Sequence, residues 1–291
     1  MKIYHLLNFF AGSSNDAVVQ KKTLLSLRQA YSFAISMGVD VQYVFIGTVS
    51  DHEFTKSMLL ETDFQCSHTF FEQLTPEMPY PFLHGRNNPT LTDTFFSSKV
   101  KEFLKVSAAP DQYPSPLIAI SNTDICLRPH AYLAIALLHS SNPLANFVVN
   151  RETIDGELLN KSLSEAYATH GSKHPGHDFF CMHLDAYHDM KLLDENHIIG
   201  FGFVMRPVLA NLILRSDPFY EIKYSRLTFH YGDDMPWKDP KWDDAIEHNK
   251  SGMITILNQL LSRSEKAPPA AKMSQLKCYF PESLVGRAFY V

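Results

Sequence analysis

A single α/β domain is the fold this sequence predicts, and three observations carry it. Short, β-branched apolar runs alternate with longer stretches whose apolar residues recur every 3.6 positions. That alternation meets no long Gly/Ser- or Pro-rich linker before the tail, which favours one domain over two. The composition, 45% hydrophobic and 20% charged over 291 residues, suits a soluble chain with one large core. Residues 1–262 are expected to form this domain, a central and mostly parallel sheet, with 263–291 a linker and helical or irregular C-terminal tail.

Lys2 to Phe10 reads as a first strand. The turn Ala11-Gly12-Ser13-Ser14-Asn15-Asp16 offers Ser, Asn and Asp to cap a helix. Val18, Leu24, Leu25, Leu27, Ala30, Tyr31 and Ala34 then keep helical spacing until Gly38 stops it. Val41 to Val49 is a second buried strand, so the chain opens as βαβ. Between Asp51 and Tyr113 a strand is expected near His68 to Phe71 and a helix around Thr94 to Val106. The Pro-rich excursion from Pro76 to Pro89, which carries His84 and Arg86, reads as a surface loop. Further on, the expected elements are a strand from Pro116 to Ile125, a helix from about His130 to His139, a strand Asn146 to Asn150, a polar loop to His174, and a short strand Phe179 to Met182. Ile198 to Leu214 contains Gly200, Gly202 and Pro207 and reads as a turn entering a helix.

A net charge of -5, with Lys and Arg dispersed, argues against a nucleic-acid partner. Four cysteines without a CxxC pair, and no secretory apolar segment at the start, point to a reduced, cytoplasmic setting. No apolar run approaches the roughly 20 residues a membrane span needs, which leaves peripheral association open. The tail from Pro268, ending in Cys278-Tyr279-Phe280-Pro281 and an apolar stretch, is expected to pack on its own domain.

The chemistry is expected where apolar strands end in polar residues. Pro116 to Ile125 ends in Asn122-x-Asp124, and in open α/β sheets ligands bind outside the carboxyl ends of the strands. Asp124 is a hard oxygen donor suited to Mg²⁺ or Mn²⁺, and His230 can join it when the ion is Mn²⁺. His174-x-x-His177-Asp178 lacks a third zinc ligand at a convincing spacing; Asp178 reads instead as a general base or an acceptor contact, presented at a strand end. Arg151 can neutralise a phosphate or pair with Glu152 or Asp155. Asp233-Asp234, before Pro236, supplies two further carboxylates. The GxSxG, P-loop and GxGxxG signatures are absent, which removes the serine hydrolases, P-loop kinases and dinucleotide enzymes as first choices.

With those residues in place, Ile120-Ser121-Asn122-Thr123-Asp124-Ile125, Val148-Val149-Asn150-Arg151-Glu152, Gly176-His177-Asp178-Phe179-Phe180 and Leu227-Thr228-Phe229-His230-Tyr231-Gly232-Asp233-Asp234, with Trp237 and Glu247/Asn249 beyond, resemble the GT-A type of nucleotide-sugar glycosyltransferase. The pattern covers Met1 to about Asn249. The resemblance implies a Rossmann-like GT-A domain, a nucleoside-diphosphate sugar as donor, and a glycan, lipid-linked or protein acceptor. It also implies that a D-x-D or N-x-D element binds metal and diphosphate. Carried over, Asp124 and His230 are the metal ligands and Asn122, Asp124 and Arg151 bind the donor, while Leu7 to Ser14 would hold base and ribose. The first Asp of a D-x-D is Asn122 here, which removes one carboxylate from the metal.

The reaction so implied moves a sugar from a nucleoside diphosphate to an acceptor hydroxyl, with Asp178 or Asp233 taking the acceptor proton if the enzyme inverts. Two alternatives stand beside it. One is a metal-dependent phosphoesterase or nucleotide hydrolase built on Asp124, Asp178, Asp233 and Asp234. The other is a non-catalytic member of the fold that binds a sugar nucleotide or a protein.

Overall fold

The computed structural model describes residues 1–73, 88–107, 115–192, 197–232, 238–262 and 269–280. The chain opens with β1 (Lys2–Leu7), α1 (Ser14–Ser36), β2 (Asp40–Gly47), α2 (Val49–Glu61) and β3 (His68–Glu72). It continues through α3 (Ser98–Ser107), β4 (Leu117–Ser121), β5 (Cys126–Leu127), α4 (Ala131–Ser141) and β6 (Asn146–Ile154). A 3₁₀ turn (Gly156–Asn160), α5 (Leu163–Ala168), β7 (Ser172–His183) and α6 (Leu184–His188) follow. The last elements are α7 (Arg206–Arg215), β8 (Phe219–Ile222), β9 (Thr228–Tyr231), α8 (Asp243–Ser262) and α9 (Ala270–Tyr279).

The nine strands form one sheet ordered β3-β2-β1-β4-β7-β6-β9-β5, with β8 added beside the first half of β6. Five of the strand pairings are parallel, and β7 runs antiparallel between β4 and β6. This is the mixed α/β class the sequence predicts. Strand residues alternate between two cores, as the period of two requires. Ile3, Val41, Tyr43, Leu117, Ala119, Phe147 and Val149 pack under α1 and α4 through Leu24, Leu27, Ala30 and Ile135. Tyr4, Leu6, Val44, Ile118, Ile120 and Val148 pack under α3, α7, α8 and α9 through Val100, Leu104, Val208, Leu212, Met253, Leu257 and Leu276. With both faces covered, β4 is buried along its whole length, which is why Leu117 to Ser121 reads as a continuous apolar run.

The local signals acted as expected at α1. Ser13 and Asp16 form a reciprocal capping box, and Gly38 takes φ +76° just beyond the helix end. The structure adds elements that sequence reading left out, among them α2, α5, α6, β8, β9 and α8, and it lengthens two that were expected. Helix α2 starts on a second capping box, Thr48 with Asp51. Helix α5 starts on a third, Ser162 with Glu165. Strand β6 runs on to Ile154 and β7 begins at Ser172, so the two ends of the expected polar loop are paired sheet, and a 3₁₀ turn and α5 fill its middle. The expected loop 76–89 lies almost wholly outside the described residues.

Candidate functional site

Because β4, β6 and β9 all point the same way, their carboxyl ends share one rim with those of β1 and β2. The crossovers on either side of the β1/β4 boundary leave in opposite directions, and that is where open α/β sheets form a ligand crevice. Asn122 to Ile125 is a turn closing on Ile125 N–H to Asn122 carbonyl, 3.3 Å. It puts Asp124 just ahead of β5, which pairs antiparallel with β9, Cys126 opposite Phe229. The same register brings Asp124 against His230, with Oδ2 and Nε2 3.2 Å apart.

Asp178 arrives by a different device. Val149 pairs with Phe179 while Asn150 pairs with His177, so Asp178 is the extra residue of a β-bulge; a second irregularity, between Asn150 and Glu152, spans Pro175-Gly176. Bulges re-aim side chains next to active sites. Here the bulge turns Asp178 to the rim, where Asn122 Nδ2 donates to its Oδ1 at 3.1 Å and the Arg151 guanidinium lies 3.2 Å from its Oδ2. A second Arg151 nitrogen lies 3.4 Å from His174 Nε2. Asn122, Asp124, Asp178, Arg151 and His230 therefore form one cluster across four neighbouring strands.

A buried chain of hydrogen bonds supports the β4 end of this cluster. Tyr43 donates to the Leu27 carbonyl, so its oxygen accepts from Tyr132; the Tyr132 proton is then spent, and His5 Nδ1–H must donate to Tyr132 at 2.7 Å. His5 Nε2 is left to accept from Ser121, 2.9 Å away and next to Asn122. On the β1 side, Gln20 holds both backbone groups of Phe10 and Asp51 accepts from Ala11 N–H, which orders the loop after β1. A Cβ at Gly12 would fall 2.5 Å from the Asp16 carboxylate and 2.6 Å from the Phe10 ring, so a larger residue there would displace the capping side chain.

The two carboxylates sit in opposite electrostatic settings. Burial raises the pKa of Asp178, and the nearby charge of Asp124 adds to this, outweighing Arg151. Burial also works against ionising Asp124, but the His230 hydrogen bond and charge, with Arg151, hold its carboxyl below the usual range. For His230, burial is overcome by Asp124 and the pKa rises, so the two form a charged pair. His230 Nδ1–H donates to the Gly232 carbonyl at 2.8 Å, which turns Nε2 to the rim. Asp124 keeps 40% of its side-chain surface accessible, yet its Oδ1 is buried without a hydrogen-bond partner among the described residues.

Some expectations need correction. Asp178 lies inside β7, at a bulge, and not at a strand end. Arg151 is within β6 and pairs with Asp178; Glu152 points to the other face and binds the buried Arg128 at 3.0 Å. His177 turns from Asp178 to Glu221, 3.1 Å away. Asn249 is a buried bracket on Ile198 and Gly202, and Glu247 pairs with Lys250 on the surface. Asp233, Asp234 and Trp237 lie outside the described residues. Sequence reading also missed Arg206, whose charge acts on Asp178. Its signal was a cation in the first turn of a helix, against the helix dipole, with a proline beside it.

No protein-family model matches the chain, and no curated protein matches it in sequence. Solved structures do match in shape. The region 1–349 of TarS from S. aureus, in complex with UDP, superposes with a TM-score of 0.52 over 97% of this chain and 73% of that one, at 8% identity. The mannosyltransferase PcManGT from Pyrobaculum calidifontis, in complex with GDP-Man and Mn²⁺, matches over 98% of this chain and 77% of its own, at 10% identity and a TM-score of 0.49. The TarS likeness shows the fold, a GT-A-like α/β fold.

Proposed function

We propose that this protein is a glycosyltransferase that moves a sugar from a nucleoside-diphosphate donor to an acceptor hydroxyl. The observation that carries the proposal is the convergence of Asp124, His230, Arg151 and Asp178 at the carboxyl rim of a GT-A sheet, beside the ordered loop after β1. That loop would take the base and ribose, and Asn122, Asp124 and Arg151 the diphosphate.

Asp124 and His230 would supply two ligands to a divalent cation; among the described residues no group of three His, Cys, Asp or Glu side chains stands ready to hold one. Asp124 Oδ1 has no hydrogen-bond partner among the described residues, and Asp124 Oδ2 and His230 Nε2 are 3.2 Å apart. Adjacent ligands of an octahedral ion with bonds of about 2.1 Å lie about 3 Å apart. The Gly232 carbonyl orients the imidazole as outer partners of ligating histidines do. When bound, Mg²⁺ or Mn²⁺ supplies positive charge opposite the diphosphate oxygens.

The chain's own residues do the rest. Arg151 offsets negative charge that grows on the leaving diphosphate as the bond from the anomeric carbon to phosphate oxygen breaks. The acceptor oxygen bonds to that carbon and gives its proton to the Asp178 carboxylate, in an inverting reaction. Burial raises the affinity of Asp178 for that proton, and Asn122 and Arg151 hold the carboxylate in place.

The test is a thermal-shift screen of UDP, GDP, CDP and their sugars, with and without Mn²⁺. A ligand at 100 times its Kd should raise Tm by about 5 °C. Asp124→Ala should abolish the metal-dependent part of the shift and leave the fold intact, with an unliganded Tm somewhat lowered by loss of the His230 pair. An unaltered shift in this variant would sink the assignment.

A further inference from the structure

Helix α9 lies antiparallel on α7 and is pinned at both ends. At one end Lys272 Nζ donates to the carbonyls of Leu214 and Ser216, at 3.2 and 2.7 Å, which closes the C-terminus of α7. At the other, Arg206 at the N-terminus of α7 donates to the Tyr279 carbonyl at 3.2 Å. Met273, Leu276 and Phe280 fill the core between them. This register sets Tyr279 against the back of the β7 bulge. The Tyr279 ring meets the His177 ring edge to face, centroids 4.9 Å apart, and its hydroxyl donates to Glu221. Glu221 also takes His177 Nε2 at 3.1 Å. His177 is the residue before Asp178, opposite Asn150 where the ladder slips.

Resting on the glycosyltransferase reading above, we propose that Tyr279 is a positioning residue, through which the C-terminal helix holds the Asp178 bulge by way of Glu221 and His177 and steadies Arg206 beside it. A bulge leaves its extra residue without a ladder bond, so the aim of Asp178 must be set from outside the ladder. Two groups hold the carboxylate itself, Asn122 and Arg151, but both lie on the rim where substrates arrive. The Tyr279 contact holds the strand from behind and does not compete with a ligand. It also explains why Arg206 tolerates the first turn of a helix: its guanidinium is fixed by a carbonyl from α9 and drawn by Asp178.

Tyr279→Phe removes one hydroxyl and keeps the ring and the carbonyl. Hydrogen exchange of the full chain should show the amides of His174, Gly176, His177 and Asp178 opening about tenfold faster, with α7 and α9 protected as before. Turnover of the sugar nucleotide that the thermal screen identifies should fall about tenfold, with its KM within about twofold, because geometry and not donor binding is lost. Glu221→Gln cuts the same relay at its centre and should give the same signature. Cys278→Ser, exposed on the same turn, should change neither readout. Unchanged exchange at 174–178 in both relay variants would overturn the proposal, and so would exchange that quickens across the whole of α9 while kcat stays the same. If no sugar nucleotide binds the native protein, the glycosyltransferase reading falls, and local exchange still decides whether Tyr279 holds the bulge.

Discussion

Asp124 and Asp178 share one rim, but burial and neighbouring charge push their proton affinities apart: Asp178 upward, and Asp124 downward through His230. Under the proposed function such groups would take different tasks, Asp124 staying charged and Asp178 moving a proton. Asp178→Asn keeps the shape and can still accept from Asn122. It is expected to lower kcat by about 10²- to 10⁴-fold while the nucleotide Kd changes only severalfold, measured by steady-state kinetics beside calorimetric titration. A kcat near that of the native protein would remove Asp178 as the base. Asn122, Asp124 and His230 were legible in the sequence because each sits just after or within an apolar run. Their convergence was not, since 106 residues separate Asp124 from His230. Arg206 and Tyr279 were missed for the same reason, as each owes its role to partners that only folding supplies.

Among the elements, α1 shows local signals at their clearest. Ser13 accepts from Asp16 N–H, and the Asp16 carboxylate accepts from Ser13 N–H at 2.7 Å. Ser13→Ala should destabilise the protein by about 1 kcal/mol, seen as a lower urea midpoint with an unchanged m-value. No fall in midpoint would mean the box adds nothing here. Helix α2 carries the same kind of signal at Thr48 and Asp51, and attention to that spacing would have found it. Its apolar pattern could not, for only Thr55, Met58 and Leu59 are buried along its length. The outer halves of β6 and β7 escaped for another reason: their side chains pair with one another and with neighbours, Arg151 with Asp178, Glu152 with Arg128 and His177 with Glu221. A strand whose polar side chains pair in this way loses the apolar alternation by which strands are recognised.

At the scale of the whole molecule, neutral buried histidines tie stability to pH. Burial lowers the pKa of His5 to about 3; burial and the charge of His248 lower that of His197 to about 4. Unfolding returns both to the ordinary value of 6.5. Below that value the unfolded chain binds protons that the native chain refuses, so stability falls as the pH drops from about 6.5 toward 4. Each such group contributes a slope of about 1.4 kcal/mol per pH unit. Native His5 is expected to show this against His5→Gln, whose urea-unfolding free energy should fall less steeply between pH 6 and 4; equal slopes would contradict a neutral His5. Composition and periodicity alone settled the α/β class, the βαβ opening, the buried β4 and the polar residues at its end, because these depend on local propensity and on which side chains avoid water. Tertiary structure decided the rest: the antiparallel placement of β7, the bulge that aims Asp178, the pairing of Asp124 with His230, and the packing of α9 behind the site. Those features depend on strand order and register, which are set by the shape of the whole core and leave no periodic mark in any one segment.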